Sequence, residues 1–318
     1  MSIATTPQLR PLGIGQLLDQ AIRLYRRNFF TFIGIIALVQ IPLTVLQLVS
    51  SLLTTSGMLD IESASSFSDI FGLAYIAGMS GTLLVGLLSF ILVHVVATAA
   101  MTRAVAGSYL GEKPEILGAY RKIGPAWPVL LATLILAIVV MIGLLIWFLV
   151  PCVGWLTGLG MLTFFGLVII PLLAPVIILE KQKPGRAIRR AWDLARRRFW
   201  WVLAFVFILY LFGQLIITGP SMLIGAIFVS IIGEHTESSG SMPGFYMVAQ
   251  AVLQALIPML SSLIYLPLQL TAITLMYFDL RIRTEGFDLA IWQRCSLGAE
   301  LPETPGRTGD KLLRRGVQ

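Results

Sequence analysis

The polar side chains that could do chemistry in this sequence lie inside long apolar runs. His94 is the one ionisable residue deep in such a run, where its imidazole could titrate with pH or contact a substrate. As a neutral ring it could instead hydrogen-bond a neighbouring helix and do nothing more. A second set of polar residues lies in the last two runs, near Gly219-Pro220, Pro258 and Pro267: Gln214, Thr218, Gln254 and Gln269.

The glycine and prolines predict broken helices at this second set. Transporters use the carbonyl groups of broken helices to build binding sites near the membrane midplane. Proline kinks and interhelical glutamine hydrogen bonds are also ordinary features of membrane helices, so both interpretations stay open.

A dense arginine cluster precedes the fifth apolar run. Guanidinium groups pair well with phosphate and carboxylate groups, so the cluster predicts contact with anionic lipid headgroups or with an acidic partner protein. Ordinary anchoring on the cytoplasmic side is the alternative, and it fits the nearby tryptophans Trp192, Trp200 and Trp201. The cluster comprises Arg186, Arg189, Arg190, Arg196, Arg197 and Arg198.

The patterns of common catalytic and metal sites are missing from the sequence. It has no HExxH motif and no Cys/His cluster, and no lysine follows a glycine as a phosphate-binding Walker loop requires. The two cysteines, Cys152 and Cys295, are expected on opposite sides of the membrane. We therefore predict no catalytic residue, no metal and no cofactor.

The elements that must position these residues are membrane-spanning helices. Hydrophobic residues make up 57% of the 318 positions and charged residues only 12%, which is far from the composition of a soluble domain. Because lipid offers no hydrogen bonds to the backbone, the chain is expected to be an all-α integral membrane protein. Runs of about 20 apolar residues can cross the hydrocarbon layer, and they predict six transmembrane helices at about 29–53, 82–101, 127–149, 156–179, 199–228 and 248–278.

The distribution of basic residues predicts the orientation. All 23 Lys and Arg residues fall in segments on one side of the six predicted spans. Basic residues stay on the cytoplasmic side during insertion, so both termini are expected there. The net charge of +7 is therefore a topology signal, and we expect anionic membrane lipids rather than nucleic acid as the partner.

A threefold internal repeat organises the predicted spans. Each pair of spans follows a basic amphipathic stretch with the same spacing of apolar residues, as in Ala191, Trp192, Ala195 and Phe199. Such helices are expected to lie in the interface, with the apolar face in the acyl boundary. The predicted architecture is three repeats of an amphipathic interfacial helix plus a helical hairpin, at about 14–110, 112–180 and 184–288. Gly154 and Gly158 match a helix-packing motif that could also join two copies of the chain.

Three segments resemble one known family. PLGIGQLLD at 11–19, AWDL at 191–194 with RFW at 198–200, and YFDLRIRTEGFD at 277–288 resemble motifs of the glycerophosphoryl diester phosphodiesterase membrane-domain family. The resemblance implies a six-span bacterial membrane domain, here at 14–292, between a cytoplasmic arm at 1–13 and a disordered cytoplasmic tail at 293–318. About 25 residues follow position 292, too few for a (β/α)₈ barrel, so the family's hydrolase activity is not expected.

Two functions remain open. The first is a non-catalytic multi-pass protein that organises lipid or a partner protein, including a second copy of itself, at the inner face of a bacterial cytoplasmic membrane. The second is a small permease for an uncharged or amphiphilic solute. A continuous polar cavity joining His94 to the glutamines would favour the permease.

Overall fold

The computed structural model describes residues 13–62, 73–109, 111, 113–121, 123–124, 126–236 and 244–285. Within these ranges the chain is helical apart from short connections and contains no strand, which confirms the predicted all-α class. Almost all of the predicted arm at 1–13 and the whole predicted tail at 293–318 lie outside the described residues.

The described helices follow one another with few residues between them. Two of the spans combine α-helix with short π-helical segments, at Leu92–Ala97 in one and at Gly154–Gly158 and Phe165–Ile169 in the other. The α-helices are α1 Ile14–Arg27, α2 Phe29–Glu62, α3 Leu73–Ile91, α4 Thr98–Tyr109, α5 Ile116–Arg121, α6 Trp127–Phe148, α7 Leu159–Phe164, α8 Ile170–Glu180, α9 Pro184–Arg196, α10 Phe199–Thr236 and α11 Gly244–Glu285.

Six stretches of helix are long and apolar enough to cross a membrane, as the sequence predicts. Each overlaps its predicted run, although the second and sixth extend well beyond the predicted ends. In chain order, spans 1 to 6 are Phe29–Thr54, Gly78–Tyr109, Trp127–Phe148, Gly154–Glu180, Phe199–Phe228 and Val248–Thr284.

Side-chain contacts identify which ends of the spans lie together. At one end Asn28 Nδ2 donates to Ser108 Oγ at 2.7 Å, and Tyr277 donates to Glu180 at 2.6 Å. This end carries every basic side chain that the structure describes, and we call it the basic end. At the opposite end, the distal end, Ser50 and Thr82 share a hydrogen bond of 3.0 Å.

The buried core fills the half of the bundle toward the basic end. In span 5 the buried positions are Val202, Phe205, Val206 and Leu209, whereas the second half of the span is largely exposed. Spans 3 and 6 show the same division, with burial near Leu130 in one and around Met276 in the other. Span 1 packs along span 2 and span 6, and spans 5 and 6 form a pair. The helices are therefore packed tightly at the basic end and more openly at the distal end.

The predicted breaks in the last two spans are wrong. Helix α10 runs through Gly219-Pro220 without interruption, and α11 runs through both Pro258 and Pro267. A proline removes one backbone donor, but neighbouring residues can keep the remaining ladder helical in a membrane span. The irregular segments occur instead in spans 2 and 4 as π-helix.

The two longer amphipathic helices bury their apolar faces in the protein, not in lipid as predicted. Leu17 and Ala21 of α1 and Ala187 and Ala191 of α9 are fully buried. Helix α1 packs against α11, and α9 packs against α6 and α8. The alanines explain the difference for α9, since a face made of small side chains lets a helix approach its neighbours closely.

Tyrosines fasten the amphipathic segments to the spans. The Tyr25 hydroxyl donates to the carbonyl of Ile264 at 2.9 Å, and the Tyr120 hydroxyl donates to the carbonyl of Ile35 at 2.5 Å. Burial raises the pKa of Tyr25 above its ordinary value and that of Tyr120 to about 12. Both phenols therefore stay protonated, and able to donate, throughout the physiological pH range.

The order of elements agrees with the predicted repeat units, because α1, α5 and α9 each precede a pair of spans. The middle helix has only six residues, however, and gives way to a turn at 123–124. The threefold repeat itself therefore stays a prediction.

Candidate functional site

Six arginines are predicted to contact lipid headgroups or an acidic partner, and five of them are exposed, on α9 or directly after it. Two of the five have neighbours within the protein: Arg196 pairs with Asp193 at 3.0 Å, and Arg197 donates to the carbonyl of Thr284 at 3.4 Å. Helix α9 exposes Arg186, Arg189 and Arg196 because its opposite face is buried, and Arg197 and Arg198 follow directly after its end. We call these five residues the arginine collar: Arg186, Arg189, Arg196, Arg197 and Arg198.

Arg190 does not belong to that exposed surface. Its Nε donates to Glu180 Oε2 at 2.9 Å and its Nη2 donates to Oε1 at 3.3 Å. Only 9% of the Glu180 side chain is exposed, and the carboxylate also accepts from the Tyr277 hydroxyl and lies 3.6 Å from Arg281. The Arg190 side chain, which was predicted to contact headgroups, thus points inward and pairs with a carboxylate at the end of span 4.

Sequence reasoning did not select Glu180. It joins three elements: span 4, α9 and span 6. A second ion pair lies nearby, between Asp279 and Arg283 at 2.7 Å, and its carboxylate is also buried. The sequence did contain a signal for Glu180, because it is a single acidic residue at the end of an apolar run. An acid at a membrane boundary is costly unless it is paired, so a basic partner could have been expected.

His94 lies in the π-helical segment of span 2. Its ring contacts Phe90 with centroids 4.4 Å apart, and the Thr98 hydroxyl donates to its backbone carbonyl. The imidazole borders a cavity of only about 20 Å³, whose other lining residues are apolar except for Thr133.

The polar residues of the last two spans are not brought together with His94. Thr218 donates to Gln214 Oε1 at 2.8 Å within α10, and Gln269 is half-buried in α11. Gln254 lines a different cavity, which shares no residue with the cavity at His94. The predicted intramembrane polar site is therefore dispersed over at least three places.

A polar crevice at the distal end takes in one of those residues. It has a volume of about 490 Å³ and lies between the ends of spans 1, 2 and 6. Gln47 donates to Ser89 at 3.1 Å beside it. Its polar lining residues are Gln47, Ser50, Ser51, Thr82, Gln250 and Gln254. Sequence reasoning missed this crevice, although polar residues at i, i+3 and i+4 in span 1 place them on one helix face.

The chemistry available in the crevice is hydrogen bonding. Its hydroxyl and amide groups donate and accept without titrating near neutral pH. Across the described ranges no group of three His, Cys, Asp or Glu side chains could hold a metal ion.

The packing motif at Gly154 and Gly158 is used within the chain. Both glycines are buried, and a Cβ atom on Gly158 would lie 3.0 Å from Cα of Phe148 at the end of span 3. The close approach that glycine permits therefore closes the hairpin of spans 3 and 4.

No family model, curated protein or solved structure matches this chain. The resemblance to the glycerophosphoryl diester phosphodiesterase membrane-domain family therefore stays a prediction.

Proposed function

We propose that this multi-pass membrane protein is non-catalytic and organises anionic lipid or an acidic partner protein through its arginine collar. In this proposal the basic end faces the cytoplasm of a bacterium, with both termini on that side. The observation that carries it is the burial of the opposite face of α9, at Ala187, Ala191, Leu194 and Ala195.

A docked helix presents its charges differently from a helix that floats in the interface. Because α9 is fixed by buried contacts, its arginines keep a constant position relative to the spans. Each basic group near an anionic surface contributes on the order of 1 kcal/mol. Five such groups on one rigid surface give substantial attraction, and the affinity should fall as salt is raised.

The test is to replace the five collar arginines by glutamine and to measure binding to vesicles containing phosphatidylglycerol. We expect the purified variant, in nanodiscs of neutral lipid, to lose most of its salt-sensitive attachment to those vesicles. The matched control replaces the same five residues by lysine, which keeps the charge and should keep most of the attachment. Unchanged attachment of the glutamine variant would refute the lipid-organising role.

The distal crevice supports the permease as a second candidate. Its volume and its amide and hydroxyl lining suit an uncharged polar solute or the headgroup of an amphiphile. Transport also needs a route to the other side, and the described cavities at Gln254 and His94 do not join. The collar is accordingly the better supported basis for function.

A further inference from the structure

Arg103 occupies an unusual place at the basic end. It lies in α4, six residues before the end of span 2, so its Cα is about 9 Å inside the end of that helix. The side chain is exposed, although its neighbours Met101, Thr102, Ala104 and Val105 are all buried. Among the described residues, no carboxylate forms an ion pair with it. A guanidinium group surrounded by buried neighbours and without an ion-pair partner is suited to bind an anion such as phosphate.

Two cavities meet at Arg103. The first, of about 320 Å³, lies beside α5 and is also bordered by Lys113 and Glu115. The second, of about 390 Å³, lies between spans 3 and 4 and is also bordered by Lys181. Among the described residues, the charged groups around the pair of cavities are three cations and one carboxylate, which leaves an excess of positive charge.

The walls of the second cavity are mostly apolar. Ile123, Ala126, Val129, Ile177 and Ile178 line it together with Gln182, Arg103 and Lys181. Val129 and Ile177 lie within one turn of the ends of spans 3 and 4, so this wall is at the level where those spans reach the basic end. Positive charge at the interface above an apolar wall matches the two parts of a phospholipid, a phosphate and an acyl chain.

We propose that Arg103, Lys113 and Lys181 form a specific binding site for one anionic phospholipid. Arg103 and Lys181 hold the phosphate, the acyl chains follow the partly exposed wall at Ala126 and Val129, and the headgroup extends toward Lys113. The carboxylate of Glu115 accepts hydrogen bonds from headgroup hydroxyls. This site uses no residue of the arginine collar, so it can fail while the collar proposal stands, and the reverse also holds.

The experiment measures binding of single lipids to the full chain in detergent by native mass spectrometry. Phosphatidylglycerol should bind the wild-type protein with saturable one-to-one stoichiometry, and phosphatidylcholine should not. Arg103→Gln should weaken phosphatidylglycerol binding about tenfold or more, since it removes a charge-assisted contact to phosphate. Arg103→Lys, which keeps the charge, should lose less. Arg26→Gln, at an exposed position of α1 that lines neither cavity, is the matched control and should leave this stoichiometric binding intact.

A second variant separates a lipid from a soluble phosphate compound. Ala126→Leu adds bulk to the apolar wall without changing any charge, and it should weaken phosphatidylglycerol binding. Competition by glycerol phosphate, with no effect of Ala126→Leu, would assign the site to a soluble anion and overturn the proposal. Equal affinity of wild-type and Arg103→Gln protein, or equal binding of both lipids, would overturn it as well.

Discussion

At the scale of single residues, Glu180 shows how the basic end is held together. Its carboxylate accepts a hydrogen bond from Tyr277 and pairs with Arg190, while Arg281 lies 3.6 Å away. The charges around it are largely removed from water, with 19% of the Arg281 side chain exposed. Breaking such a pair by removing one partner leaves an uncompensated charge behind.

We therefore expect Glu180→Ala to lower the free energy of unfolding by about 3 kcal/mol. The measurement is thermal or denaturant unfolding of the purified protein in detergent. Asp193→Ala is the matched control, because it also removes a carboxylate paired with an arginine of α9, but at an exposed position. An exposed pair contributes less than about 1 kcal/mol, so equal losses in the two variants would contradict this account.

At the scale of elements, the amphipathic helices show that one sequence pattern permits two outcomes. A helix with a basic face and an apolar face can lie in lipid or pack on protein, and its periodicity is the same in both cases. The buried face of α9 consists mainly of alanine, which offers little area to lipid but allows close packing on the spans.

Ala191→Leu should therefore displace α9, since a larger side chain does not fit a fully buried alanine position. Overpacking of this kind costs about 1–3 kcal/mol, visible as a lower unfolding temperature. We expect the salt-sensitive lipid attachment of the collar to weaken in parallel. Leu117→Ala, at an exposed position of α5, is the control and should change stability by less than about 0.5 kcal/mol. Wild-type stability of Ala191→Leu would show that α9 is not docked.

Features of single helices could be predicted from the sequence, whereas contacts between helices could not. Span positions follow from apolar length, and three of the four arginines of α9 (Arg186, Arg189 and Arg196) are exposed as periodicity indicates. The partner of Arg190 was not predictable, because Glu180 is ten residues away and on another helix. The site at Arg103 was also missed, since it depends on cavities between helices that a linear pattern does not contain.

At the scale of the whole molecule, polarity and packing differ between the two ends. Packed core and basic side chains share one end, while the distal end has exposed apolar surface and a crevice of amide and hydroxyl groups. The six spans and the predicted all-α membrane class are confirmed. The orientation still depends on the prediction from the basic residues.

Cysteine labelling tests that orientation. Cys152 is exposed between spans 3 and 4, at the distal end. In a Cys295→Ser protein we expect a membrane-impermeant maleimide to label Cys152 on spheroplasts whose cytoplasmic membrane is intact. In a Cys152→Ser protein, label should reach Cys295 only after the membrane is opened. The opposite pattern would reverse the topology and remove the basis for a cytoplasmic collar.

Helix α11 is one uninterrupted helix of 42 residues. At about 1.5 Å per residue it is a rod of about 63 Å, roughly twice the thickness of the hydrocarbon layer. Near one end it lines the distal crevice through Gln254, and about 35 Å further along it carries Tyr277, which donates to Glu180. One helix thus carries groups of both ends of the bundle, and a substitution that displaces it at the crevice is expected to disturb the contact of Tyr277 with Glu180 as well.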